Sequence, residues 1–247
     1  MARPFTLVTG ASRGLGRGIA LEAAGCGHDL ALVARSEADR LDEVRRAAVA
    51  AGSAHVSAHL CHVADPAAVA RLFADTASHA RLTGLVNCAG YSGERFALAE
   101  APLDMIEHIL AVNLLGTILC CREAIGQMSR RSGGKGGAIV NISSQTARFG
   151  GDRLAAYAAS KAGVEGLTIS LAREVAPMGI RVNAVSPGAV LTEPLQSLPP
   201  EKLESMQAVM PMGRFCEPQE VARAVLWLLS DSASYVSGAI VPVHGAR

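Results

Sequence analysis

Short runs of branched and aliphatic residues recur along the chain, separated by longer stretches of helical composition. The runs predict strands at Phe5 to Thr9, Asp29 to Ala34, His55 to His59, Gly84 to Asn87, Ala138 to Ser143, Arg181 to Ser186 and Ala239 to Val243. Their near-continuous apolar character fits strands covered on both faces, as in a parallel sheet. Between them, Arg13 to Cys26, Glu37 to Ala51, Pro66 to Ala80, Leu103 to Arg130, Arg153 to Pro177 and Pro218 to Leu229 predict helices. The alternation gives an α/β fold: a doubly wound, seven-stranded parallel sheet with helices on both faces. The segment 189–213 breaks the pattern with four prolines and scattered leucine and methionine. It follows the sixth strand, on the side where such sheets bind ligands, and predicts a substrate lid.

Composition narrows the reading. The 247 residues, half of them apolar, suit one domain spanning 1–247 around one large core. With 23 basic against 22 acidic residues there is no field for nucleic acid, so any phosphate site must be local. Apolar runs fall short of the roughly 20 residues of a membrane helix. Strand-like sequence from Phe5 leaves no room for a secretion signal, and the expectation is a cytoplasmic protein without a membrane partner. The six cysteines show no C-x-x-C pair and no zinc-like spacing, and are expected as reduced core residues with no metal.

Two stretches carry candidate chemistry. Gly10, Gly14 and Gly16 lie between the first strand and first helix, where glycine lets a backbone approach a pyrophosphate and the helix N-terminus offers free N–H groups. Ser12, Arg13 and Leu15 complete that turn. Tyr157 and Lys161 are four residues apart, on one face of a helix. A nearby ammonium favours the phenolate and lowers a tyrosine that ordinarily titrates near ~10. An acidic residue ending the second strand would bond the ribose hydroxyls of NAD, whereas arginine can pair with a 2′-phosphate. Here the strand ends at Arg35, with Arg13 in the turn and no carboxylate, which predicts NADP(H).

The turn, Asn87-Cys-Ala-Gly90, Asn113, Ser144, Tyr157 and Lys161, followed by Ser186-Pro-Gly188 and Thr192, resemble in order and spacing the short-chain dehydrogenase/reductase family over nearly the whole chain. The 3-oxoacyl-[acyl-carrier-protein] reductase branch is the most similar. The resemblance implies a Rossmann domain in which Tyr157 passes a proton to or from the substrate oxygen. Lys161 would lower its pKa and hold the nicotinamide ribose, Ser144 would polarise the carbonyl, and Asn113 would anchor a relay water. It implies cofactor contacts at Asn87, Ala89 and Gly90, at His62 and Val63, and at Pro187, Gly188, Val190 and Thr192. It also implies a homotetramer built from the two long helices, whose apolar surface exceeds what one sheet face can hide.

The chain departs from the family at four places. His62 stands where an aspartate commonly accepts from the adenine amine, Cys88 replaces an asparagine, and His244 replaces an acidic residue. Met178 stands where carrier-protein reductases often have a basic residue, leaving Arg130, Arg131 and Lys135 as the basic surface for an acyl carrier protein. The leading expectation is an NADPH-dependent reductase of a 3-oxoacyl thioester or related small ketone. Alternatives are an alcohol or polyol dehydrogenase working on a bulkier substrate and a non-catalytic NADP-binding sensor or scaffold.

Overall fold

A computed structural model describes residues 3–246; residues 1, 2 and 247 lie outside the described region. The seven strands are β1 (Phe5–Thr9), β2 (Asp29–Ala34), β3 (Val56–Leu60), β4 (Gly84–Asn87), β5 (Gly137–Ile142), β6 (Ile180–Pro187) and β7 (Ile240–Val243). They form one parallel sheet in the order β3-β2-β1-β4-β5-β6-β7. The order reverses between β1 and β4, and a crevice opens there beyond the carboxyl ends of the strands. Strands β1 and β4 are buried at every position, so their sequences read as unbroken apolar runs.

The helices are α1 (Gly14–Gly25), α2 (Ala38–Ala51), α3 (Pro66–Ala77), α4 (Leu103–Leu110), α5 (Gly116–Met128), α6 (Thr146–Phe149), α7 (Ala155–Val175), α8 (Glu193–Gln196), α9 (Pro200–Ala208) and α10 (Pro218–Leu229). One buried cluster lies between the sheet and α3, α5 and α7. A second lies on the opposite face, under α1, α2 and α10. Packing both sheet faces removes apolar area from water at about 25 cal/mol per Å².

Strands β5, β6 and β7 and helix α7 differ from the predicted bounds by one or two residues at their ends, and three other boundaries move for identifiable local reasons. Strand β3 starts at Val56, because the His55 backbone N–H donates to Asp29 Oδ1 at 3.1 Å and its ring stacks on His79 at 3.6 Å. Helix α3 stops at Ala77, where the Ser78 hydroxyl donates back to the Asp75 carbonyl at 2.7 Å. The predicted helix from Leu103 to Arg130 runs to Met128 and is interrupted by a π-turn, Ala111–Leu115, centred on buried Asn113. Against the expectation from run lengths, the 26 residues Leu103–Met128 are long and apolar enough to cross a membrane by length and composition. Here they pack beside α7 and contribute Leu119, Cys120, Cys121, Ala124 and Met128 to the core.

Candidate active site

The glycine turn is built by close approach. A Cβ on Gly16 would meet the Gly10 carbonyl oxygen at 2.1 Å, and one on Gly10 (φ +69°) would meet Ala89 Cα at 2.9 Å. The turn therefore packs directly on the loop after β4. Thr9 fastens the two, its Oγ1 accepting from the backbone N–H groups of Cys88 and Ala89 at 3.0 Å each. Helix α1 begins with no side-chain cap and no acidic residue in its first turn, which suits an anion placed on its free N–H groups.

A cleft of about 710 Å³ runs from this turn across the crevice. Of the predicted cofactor residues, Gly10, Ser12, Arg13, Gly14, Leu15, Gly16, Arg35, His62, Val63, Ala89, Gly90, Tyr157, Lys161 and Thr192 line it. Asn87 does not, because its amide is buried and donates to Asn141 Oδ1 at 2.9 Å; Asn141 in turn donates to Thr168 Oγ1. That network braces β4 to β5 and α7, so the contribution of Asn87 to the cleft is structural. Pro187, Gly188 and Val190 are not among the cleft's lining residues; Gly188 instead lines a separate cavity of about 150 Å³ with Met210, Met212 and His244. Gly188 is required by its neighbour, since a Cβ there would stand 2.9 Å from His244 Cα.

At one end, α7 presents Tyr157 and Lys161. Lys161 is buried and its Nζ donates to the Ile142 carbonyl at 2.8 Å. Burial lowers its pKa to about 8, and the neighbouring Cys88 thiol opposes that shift. Burial likewise raises the half-buried Tyr157 phenol above its ordinary value, opposed by hydrogen bonding to the Ser144 hydroxyl. In the chain by itself desolvation is the larger influence on the phenol, and Lys161 is not among the groups that shift it. The Ser144 oxygen accepts from the Thr146 N–H at 3.2 Å and from the Thr146 hydroxyl at 3.0 Å, so its own proton is left to donate towards the Tyr157 oxygen. Ser143, beyond the end of β5, lines the cleft beside Tyr157 and Lys161, but its hydroxyl is engaged, donating to Glu165 Oε1 at 2.7 Å.

Asn113 ties the π-turn to the tyrosine. Its Nδ2 donates to the Tyr91 carbonyl at 2.9 Å and to Ser160 Oγ at 3.0 Å, its Oδ1 accepts from the Tyr91 N–H at 2.8 Å, and Ser160 donates to the Tyr157 carbonyl at 2.7 Å. A Cβ on Gly90 would stand 3.5 Å from both Asn113 Oδ1 and Lys161 Nζ, an ordinary contact, so Gly90 lies beside both groups without being required by them.

The other end is charged. Arg13 and Arg35 line it, as predicted, but so does Glu37, against the expectation of no carboxylate. Glu37 has φ +66° before α2, accepts from Ser12 Oγ at 2.8 Å, and lies 3.6 Å from Arg13 Nη1. His108 of α4 also lines this end and was not among the predicted residues. Basic Arg130, Arg131 and Lys135 precede β5 and so stand at the opposite edge of the sheet from the cleft of their own chain.

Residues 10–245 match the family described as Enoyl-(Acyl carrier protein) reductase. The chain belongs to the short-chain dehydrogenase/reductase family. It is an oxidoreductase, and members of this family use nicotinamide cofactors. This short-chain dehydrogenase/reductase is 38% identical to the Escherichia coli oxidoreductase YgfF over 246 residues, covering 98% of this chain and 99% of that one. It is 35% identical to the Staphylococcus aureus 3-oxoacyl-[acyl-carrier-protein] reductase FabG over 240 residues, covering 97% and 96%. The solved structure of levodione reductase superposes with a TM-score of 0.92 at 32% identity, covering 98% and 96%.

The uncapped helix start, the glycine cradle and the long cleft fit a nicotinamide dinucleotide, with the turn under the pyrophosphate and Arg13, Arg35 and Glu37 at the ribose beyond β2. Bound there, such a cofactor supplies or accepts the hydride. The chain's own residues provide a protonated phenol and a buried ammonium in the cleft; Ser144 and Asn113 are not among its lining residues, Ser144 joining the phenol through its hydroxyl and Asn113 through Ser160.

Proposed function

We propose that this oxidoreductase is an NADPH-dependent carbonyl reductase acting on a 3-oxoacyl thioester or a related small ketone, with Tyr157 as general acid. The observation that carries this reading is the pairing of the Tyr157 and Ser144 hydroxyls beside buried Lys161, where the glycine-turn cleft ends. A ketone oxygen held between the two hydroxyls accepts a hydrogen bond from Ser144 and the proton of Tyr157 as charge develops on it. The raised phenol suits this direction, because a general acid must arrive protonated. Thr146 aims Ser144, Asn113 anchors the tyrosine's helix and a relay water, and Lys161 replenishes the proton.

Support for an acyl or otherwise apolar substrate comes from the 189–213 segment, read as a lid. Its half-buried positions include Leu195, Leu198, Leu203, Met206 and Met210, whereas Gln196, Glu201 and Lys202 are exposed. Likeness to FabG favours a thioester carried on an acyl carrier protein. Exposed Leu110, Leu115, Ile118 and Ile169 on α4, the π-turn, α5 and α7 support a homotetramer, to be checked as a solution mass of four 25.5 kDa chains at micromolar concentration. Six unpaired cysteines are in keeping with a cytoplasmic location.

The test is NADPH oxidation against ketoacyl-CoA, carrier-linked ketoacyl, cyclic ketone and sugar substrates. Turnover with a ketoacyl thioester or small ketone is expected; protein that binds NADPH and leaves it unoxidised across the panel overturns the reading. Glu37 favours a second reading, an NAD-linked alcohol or polyol dehydrogenase, since a carboxylate at the end of β2 can bond ribose hydroxyls. NADH run in parallel separates the two.

A further inference from the structure

The charged end of the cleft holds two histidines whose tautomers the structure fixes. The Ala64 backbone N–H donates to His62 Nδ1 at 3.2 Å, so the neutral ring carries its proton on Nε2. Arg35 Nη1 lies 3.5 Å from His108 Nε2; a guanidinium only donates, so this nitrogen accepts. The two rings are 5.9 Å apart and tilted by 56°, and both line the cleft. His108 is held further by Tyr91, whose ring packs against it at 5.1 Å.

In a doubly wound sheet the pyrophosphate sits on the first helix and the ribose at the end of the second strand. The base then lies one strand further out, past the end of β3, where His62 and Val63 follow Leu60 and His108 arrives from α4. The carboxylate lining this part of the cleft, Glu37, is already engaged by Ser12 and Arg13. The edge of the base therefore meets a donor at His62.

That matters because purines differ at this edge. A 6-aminopurine offers an amino donor and a ring-nitrogen acceptor, whereas a 6-oxopurine offers a carbonyl acceptor and a ring N–H donor. A carboxylate held opposite position 6 accepts from the amino group but meets the oxo group acceptor to acceptor and must shift to the ring N–H. An Nε2–H finds an acceptor on either. We infer that His62, braced by His108, reads the base of the dinucleotide as a hydrogen-bond donor, so that the chain binds a hypoxanthine dinucleotide nearly as well as the adenine form. This rests on the reading of the cleft as a nicotinamide dinucleotide site.

The experiment is a fluorescence titration of the reduced dinucleotides, with and without the 2′-phosphate, each carrying adenine or hypoxanthine. The native protein is expected to bind the two bases within about threefold, while His62→Asp, which substitutes an acceptor, disfavours hypoxanthine by roughly tenfold, the size of one mismatched hydrogen bond. His62→Gln, which offers both a donor and an acceptor, keeps the native ratio and serves if the aspartate variant does not fold. Native discrimination above tenfold, or a ratio unchanged in His62→Asp, overturns the inference while leaving the dinucleotide site intact. Failure of the native protein to bind any of the four overturns both.

Discussion

The two ends of the cleft are built differently. At the Tyr157 end, the polar atoms are buried and multiply bonded: Asn113 makes three hydrogen bonds, Lys161 is fixed on the Ile142 carbonyl, and Ser144 is aimed by Thr146. At the charged end, Arg13 and Arg35 are exposed and, apart from the Ser12–Glu37 and Ala64–His62 hydrogen bonds, the contacts are ion pairs or ring packing over longer distances. Buried polar networks are costly to disturb, because each orphaned group loses its partner without regaining water. Exposed ion pairs contribute roughly 0–1 kcal/mol and exchange freely. One end is thus rigid and suited to chemistry, and the other is adjustable and suited to choosing a cofactor.

The sharpest way to break this contrast is Tyr157→Phe. Turnover should fall by about two to four orders of magnitude while NADPH affinity, measured by fluorescence titration, stays within about twofold. Parallel loss of binding would mean that the phenol belongs to cofactor recognition rather than to proton transfer.

Next in size is pH. Lys161 is held to about 8 by burial, so its charged form is present below that value and is lost above it. The reductive rate should decline as pH rises past 8, approaching about tenfold per unit, the limiting slope for loss of one required proton. A flat kcat profile to pH 10 would show that the ammonium charge is not needed.

A smaller effect is expected for Thr146→Val, which removes one of the two bonds aiming Ser144 and should lower kcat by about fivefold, with cofactor affinity unchanged. Loss of affinity instead would place Ser144 and Thr146 with the adjustable end. Smallest is Glu37→Gln, which removes a carboxylate from beside Arg13. It should improve the ratio of NADPH to NADH affinity by about threefold, in the range of an exposed charge interaction. No change in that ratio would exclude Glu37 from cofactor choice.

The same contrast separates what was legible in the chain from what was not. Strands β1, β2 and β4 fall where the apolar runs predict, because burial on both faces demands continuous apolar residues. The half-exposed edge strand β3 shifts by one residue, since its start is set by the contacts of His55 with Asp29 and His79. The Tyr157 end was legible because its residues sit at fixed spacings on few elements. Glu37 and His108 were missed at the other end. Glu37 is turned back to the cleft by a left-handed backbone that nothing in its side chain announces. His108 lies 73 residues from the Arg35 it meets.

Local periodicity and spacing determined the layering of helix and strand, the glycine turn and the Tyr157/Lys161 pair, because each depends on residues close in the chain, and the family resemblance added Ser144 and Asn113. Tertiary structure decided three other matters. It turned Asn87 into the core, half-buried Leu195, Leu198, Leu203, Met206 and Met210 of the 189–213 segment while leaving Val209 and Met212 exposed, and brought a carboxylate and two imidazoles to the charged end of the cleft. Those outcomes depend on desolvation and on meetings between distant segments, which exist only once the sheet has closed.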